Sequence, residues 1–233
     1  MKYIKILLLL CVVAFGGCTD RSYSPADGLL SQLSNDNPDV AIAFLYDGVI
    51  EFSPASPRAG LVFYQGCYVD YVCYAPLMVQ LAKQGFLCLL VRTPADMALM
   101  GTGYAHRLRK QYADMEHFYV GGHSLGGVSA SMALGSHPDA FDGLLLLGSY
   151  SSTDLSSSGK RVVSVYGSLD GVLDREEYEK CRSNLPPDYQ ELVIDGGNHS
   201  YFGWYGHQDG DNPATITREE QIALTATFVS ASL

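Results

Sequence analysis

Positive charge is scarce in this chain. Fifteen Lys and Arg stand against 25 Asp and Glu, a formal net charge of -10 over 233 residues. A nucleic-acid binder needs a basic face, so nucleic acid is not expected as a partner. Metal-site spacing is lacking as well. There is no C-x-x-C pair and no histidine cluster, so no metal ion is expected. No internal repeat and no break in composition marks a second domain. The apolar run at residues 6–15 is too short to cross a bilayer as a mature helix.

What is present suits one globular domain. The hydrophobic fraction is 47% and the charged fraction 17%, both ordinary, and the length suffices for one α/β domain with a full core. The first residues read as a leader. Lys2 and Lys5 form a positive n-region ahead of the apolar run, as in a signal peptide. It ends Phe15-Gly16-Gly17-Cys18, and small residues immediately before a cysteine resemble the lipobox of bacterial lipoproteins. Residues 1–17 are then signal peptide, with Cys18 lipidated and holding the protein to a membrane of the cell envelope. The alternative is an ordinary secreted protein cut nearby. Residues 18–38, polar and rich in Ser, Asp, Asn and Pro, read as a tether, and 39–233 as the domain. Outside the leader lie Cys67, Cys73, Cys88 and Cys181. An extracytoplasmic location permits disulfides, Cys67 and Cys73 being nearest in sequence. Burial as small hydrophobes is the other reading.

Short apolar runs alternate with helical patterns. Residues 40–46 and 49–53 flank Asp47-Gly48, a hairpin signal. Strands are expected at 61–64, 86–91, 117–120, 144–147, 162–166 and 191–194. Helices are expected at 71–83, 95–100, 105–115, 128–135, 174–181 and from Thr217 onward. Alternation of this kind implies a doubly wound, mostly parallel sheet with right-handed crossovers, whose sites lie beyond the carboxyl ends of the strands.

One stretch organises the rest. Gly122-His123-Ser124-Leu125-Gly126 reads G-x-S-x-G between a strand and a small-residue helix, the context of a nucleophile elbow. The sharp turn strains the serine backbone and exposes its hydroxyl at a helix N-terminus, where N–H groups favour a developing anion. A serine nucleophile needs a base, and the base an orienting acid, in the chain order Ser, acid, His. Of six histidines, His199 directly follows the last strand, with His207 in the same loop as the alternative. Asp170 and Asp174 both follow strand 162–166. Asp174 starts a D-x-x-E capping pattern with Glu177, which leaves Asp170 as the acid. Two N–H groups must hold the oxyanion: that of Leu125, next to the nucleophile, and that of Cys67 after Gly66.

Leu61-Val62-Phe63-Tyr64-Gln65-Gly66, the Ser124 elbow, Tyr166-Gly167-Ser168-Leu169-Asp170-Gly171 and Gly196-Gly197-Asn198-His199 together resemble the α/β-hydrolase superfamily, most nearly its small, lidless bacterial fold-5 group, related to dienelactone hydrolases. The loop from Tyr201 to Asp211 is similar to that group's loop after the histidine. The likeness spans residues 40–233. It implies a serine hydrolase that cleaves an ester or related acyl bond of a small molecule through an acyl-enzyme, with no cofactor. Acyl transfer on the same triad and a catalytically silent binding lipoprotein are the competing readings. Residues 148–161, where such folds often insert a lid, carry no amphipathic pattern. Tyr68, Tyr71, Tyr150, Tyr201, Phe202, Trp204 and Tyr205 lie in sheet-top loops, either lining an apolar pocket or packing those loops.

Overall fold

The computed structural model of the chain describes residues 23–45 and 48–233; the leader, Cys18 and Asp47 lie outside the described residues. Eight strands form one sheet: β1 (Val40–Phe44), β2 (Val49–Pro54), β3 (Ala59–Tyr64), β4 (Phe86–Val91), β5 (Phe118–His123), β6 (Gly143–Leu147), β7 (Arg161–Gly167) and β8 (Gln190–Ile194). Their order is β1-β2-β4-β3-β5-β6-β7-β8. The β1–β2 and β2–β4 pairs are antiparallel, and the other pairings are parallel.

The helices are α1 (Leu29–Asp36), α2 (Ala75–Lys83), α3 (Tyr104–Gln111), α4 (Leu125–Ser136), α5 (Arg175–Cys181) and α6 (Arg218–Ser232). Strand periodicity divides the core in two. Leu61 and Phe63 of β3 face α2 and α6, with Leu77, Leu81, Ile222 and Val229. Val62 and Tyr64 face the opposite way, toward Leu108, Ala130 and Leu134 of α3 and α4. This two-sided burial makes the central strands continuous apolar runs. Leu144, Leu145, Leu146 and Leu147 of β6 are all 0% exposed, and each contributes about 1.5–3 kcal/mol of burial free energy.

Several elements differ from expectation. The first part of residues 71–83 is a 3-10 turn, Tyr71–Tyr74, because Pro76 and the Asp70 cap set the α-helix entry one turn later. Residues 95–100 form two 3-10 turns rather than a helix, since Ala95 and Asp96 have positive φ (53° and 51°). Within the polar stretch 18–38, α1 forms with Leu29 buried, and Leu30 and Leu33 pack on the α2/α6 side of the core. Helix α6 opens with a complete capping box of Thr217 and Glu220. Cys73, Cys88 and Cys181 are buried free thiols, and Cys67 is half-buried.

Strand order reverses at β3. The chain passes from β3 to β4 on one side, then returns across it to β5 on the other. The loops after β3 and β5 therefore diverge at their carboxyl ends and leave a crevice there, where open α/β sheets bind ligands.

Candidate active site

Ser124 stands at that crevice, at the exit of β5 and one residue before α4. Its backbone is φ 53°, ψ -124°, a region that a non-glycine residue occupies only when its surroundings impose it. The imposing contacts are close. A Cβ on Gly122 would lie 2.3 Å from the Gly126 carbonyl carbon, and one on Gly126 would lie 2.3 Å from Tyr64 O and 2.5 Å from Gln65 O. Only glycine fits at either place. The Ser124 N–H donates to Leu147 O at 2.9 Å, and the Ser149 hydroxyl donates to Ser124 O at 2.7 Å, so the end of β6 and the loop after it pin the turn from the other side.

The loops after β7 and β8 bring Asp170 and His199 together. His199 Nδ1 lies 2.8 Å from Asp170 Oδ2, and both side chains are fully buried. Asp170 Oδ1 accepts the N–H groups of Val172 (3.0 Å) and Leu173 (2.8 Å). Burial alone would raise the Asp170 carboxyl. The His199 hydrogen bond and charge, with those two N–H groups, outweigh it and hold the carboxyl below its usual value. Asp170 therefore stays ionised and accepts from Nδ1–H, which leaves Nε2 as the basic nitrogen. His199 Nε2 is buried and has no hydrogen-bond partner. His207 is exposed. The Asp174 side chain accepts Glu177 N–H at 3.0 Å, the N-cap of α5.

The loop after β3 carries Gln65, Gly66 and Cys67. Leu125 is the first residue of α4, so its N–H is one of the helix-terminal donors without an intrahelical acceptor. Gly66 N–H is committed to Tyr74 Oη at 3.0 Å, and Cys67 follows it, half-buried, with its Sγ 3.3 Å from Met97 Sδ. Sequence reasoning did not single out Tyr74, and it named His123 only as part of the elbow. Tyr74 Oη and His123 Nδ1 are 2.8 Å apart. Burial, then the neighbouring His199, pushes His123 well below the usual imidazole value, with a backbone hydrogen bond to His199 acting the other way. A neutral His123 can accept at Nδ1, so Tyr74 accepts from Gly66 and donates to His123. The pattern G-H-S was visible in the sequence; its partner, 49 positions away, was not. The His123 ring also lies 4.4 Å from that of His199.

Of the sheet-top aromatics, Phe202 and Tyr205 are core residues at 0% and 3% exposure. Tyr201 and Trp204 stay half-exposed, beneath the Arg218 guanidinium. With Ser24 and Ile216 they border an open groove of about 580 Å³, whose lining does not include Ser124.

Residues 60–223 match a family described as alpha/beta hydrolase. Among solved structures, the chain is similar to a dienelactone hydrolase from Anabaena variabilis (TM-score 0.62, 13% identity, 83% of this chain and 97% of that one). It is also similar to a monoacylglycerol lipase from Paleococcus ferrophilus (TM-score 0.60, 12% identity, 83% and 99%), and to the esterase domain of a Rhodothermus marinus protein (TM-score 0.58, 13% identity, 78% and 90%). Identities this low establish a shared fold. No curated protein matches the chain.

Proposed function

The chain belongs to the alpha/beta hydrolase family, and on that premise we propose that it is a serine hydrolase cleaving an ester or related acyl bond. Ser124 attacks the carbonyl carbon. His199 Nε2 takes the hydroxyl proton and returns it to the leaving group, and Asp170 holds the imidazole in the required tautomer. The N–H groups of Leu125 and Cys67 receive the oxyanion. Water, activated by His199 in turn, attacks the acyl-enzyme and frees Ser124. The observation that carries the reading is the buried 2.8 Å Asp170–His199 pair with its outer nitrogen unpartnered, beside a serine held at φ 53°.

Ser124→Ala tests it with p-nitrophenyl acetate and a fluorophosphonate label. The expected result is a folded protein with neither turnover nor labelling. Wild-type turnover, with labelling moved to another residue, overturns the assignment. We further propose that Cys18 carries a lipid that holds this hydrolase to the cell envelope; the support is the Lys2, Lys5 and Gly16-Gly17-Cys18 pattern. Among the described residues, no helix is long and apolar enough to cross a membrane.

A further inference from the structure

Behind the Asp170–His199 pair stands a second buried carboxylate that no step above uses. Asp211 lies in the loop between β8 and α6 and is 7% exposed. Its Oδ1 accepts the N–H groups of Gly171 (3.1 Å), His199 (3.1 Å) and Asn212 (3.0 Å). Its Oδ2 accepts the N–H of Ser200 at 2.8 Å. Among the described residues no Lys or Arg lies within ion-pair distance of it. A buried carboxylate without a cation is costly unless its lone pairs are filled, and four backbone donors fill these.

The donors are not one local turn. Gly171 adjoins Asp170 in the loop after β7, whereas His199 and Ser200 belong to the loop after β8. Asp211 thus grips the main chain next to the acid and the main chain of the base itself. The far side of the base loop is held separately: Asn198 N–H donates to Gln221 Oε1 at 3.0 Å, Gln221 Nε2 donates to Asn198 O at 2.8 Å, and Asn198 Nδ2 donates to Asn212 O at 2.8 Å. Gln221 fixes the base loop to α6. Nearer the strand ends the two loops are also joined, by Leu169 N–H to Gly197 O and Gly196 N–H to Ser168 Oγ, each at 2.9 Å; Asp211 joins them beside the pair, through the main chain of Gly171 on one side and of His199 and Ser200 on the other.

We propose that Asp211 is a positioning residue whose carboxylate sets the spacing between the two loops, so that Asp170 can orient the His199 imidazole. The proposal rests on the Ser124–His199–Asp170 reading above. Asp211 touches no reacting atom and acts through the two loops.

Asp211→Asn keeps the shape of the side chain but turns an NH2 toward the N–H of Ser200 or toward the three donors on the other oxygen. A displacement of about 1 Å at the reacting groups costs roughly 10²-fold in rate. The expected result is a kcat for p-nitrophenyl acetate lower by about that factor with KM little changed. It should come with loss or broadening of the far-downfield proton resonance of the His199 Nδ1–H···Asp170 hydrogen bond, in a protein still folded by near-UV circular dichroism. A purely structural role would leave that resonance in place. Wild-type kcat in a folded Asp211→Asn protein overturns the proposal, and so does lost activity with the resonance intact. If Asp211→Asn does not fold, Asp211→Glu, with both oxygens one methylene further out, carries the same readouts and the same criteria. Ser124→Ala, measured alongside, separates the two levels. Were it to keep turnover, the hydrolase reading and this proposal fall together. Were it inactive while the Asp211 variants behaved as wild type, the Asp211 proposal falls alone.

Discussion

Gly126→Ala is the sharpest probe of how the elbow meets the loop proposed to hold the oxyanion. The added Cβ would sit 2.3 Å from Tyr64 O and 2.5 Å from Gln65 O. A close carbon–oxygen contact is about 3.3 Å, so the start of α4 and the end of β3 must separate by about 1 Å. Both obstructing atoms are backbone, and no side-chain rotation relieves the overlap. Overpacking of this kind costs about 1–3 kcal/mol, and the better helix propensity of alanine offsets up to about 1 kcal/mol of it. A net loss of about 1–2 kcal/mol corresponds to a fall in Tm of about 2–8 °C for a chain of this length. The effect on rate should be far larger. The displaced loop carries the Cys67 N–H, and losing one oxyanion donor costs about 10²–10³-fold in kcat. The signature is therefore a modest shift in differential scanning calorimetry beside a hundredfold or greater fall in p-nitrophenyl acetate turnover. Wild-type kcat in Gly126→Ala would refute the reasoning, because it would mean that the separation of helix and loop does not reach the reacting atoms.

Asp170→Asn should lower kcat/KM by about 10⁴-fold through the wrong imidazole tautomer, while Asp174→Asn, which keeps a good N-cap residue, should stay near wild type; comparable values in ester assays would sink the assignment of the acid. Tyr74→Phe removes the acceptor of the buried Gly66 N–H, so chemical denaturation should show a loss of about 1–3 kcal/mol together with reduced turnover, and unchanged stability would contradict the Gly66–Tyr74–His123 hydrogen bonds. Cys18→Ala should move the protein from the membrane fraction to the soluble one. Stable anchoring takes more than one acyl chain at about 0.8 kcal/mol per buried CH₂; a wild-type protein found wholly soluble, with another N-terminal residue, would end the lipoprotein reading.

What could be read from the sequence is what depends on neighbours along the chain. The β4 run of Phe86–Val91 is apolar throughout because both its faces are covered, and that pattern is local. Thr217 and Glu220 cap α6 from three residues apart. Gly122, Ser124 and Gly126 carry their own geometric reason in their spacing. The bent segment at 95–100 was read as a helix because Ala, Met and Leu favour one. Tertiary bonds override that propensity: Tyr68 N–H reaches Asp96 O at 3.1 Å, and Gln65 Nε2 reaches Asp96 Oδ1 at 3.3 Å. Helix α1 escaped notice because its eight residues include Ser, Gln, Asn and Asp, and its few leucines matter only once a core lies beside them. The Tyr74–His123 and Asp211 contacts have no periodicity to betray them. Polar side chains that meet across loops leave no trace in composition, and only the fold brings them into register.

The distribution of backbone strain supports the placement of the site without reference to any motif. Among the described residues, the non-glycine positions with positive φ are Tyr68, Ala95, Asp96 and Ser124. Each costs on the order of 1–3 kcal/mol and persists only where surrounding structure over-determines it. One is the candidate nucleophile itself. Tyr68 adjoins Cys67 in the loop proposed to receive the oxyanion, and Asp96 holds that loop through Gln65 and Tyr68. The sheet interior contains none of them: all four lie in the segments that follow β3, β4 and β5. A buried, close-packed sheet can bear that load, because the carbonyls of Tyr64 and Gln65 that press on Gly126 lie at the end of the fully buried β3. The stability of the sheet is thereby converted into a fixed separation between Ser124 and the N–H groups proposed to receive its oxyanion, which is the geometry that transition-state stabilisation requires.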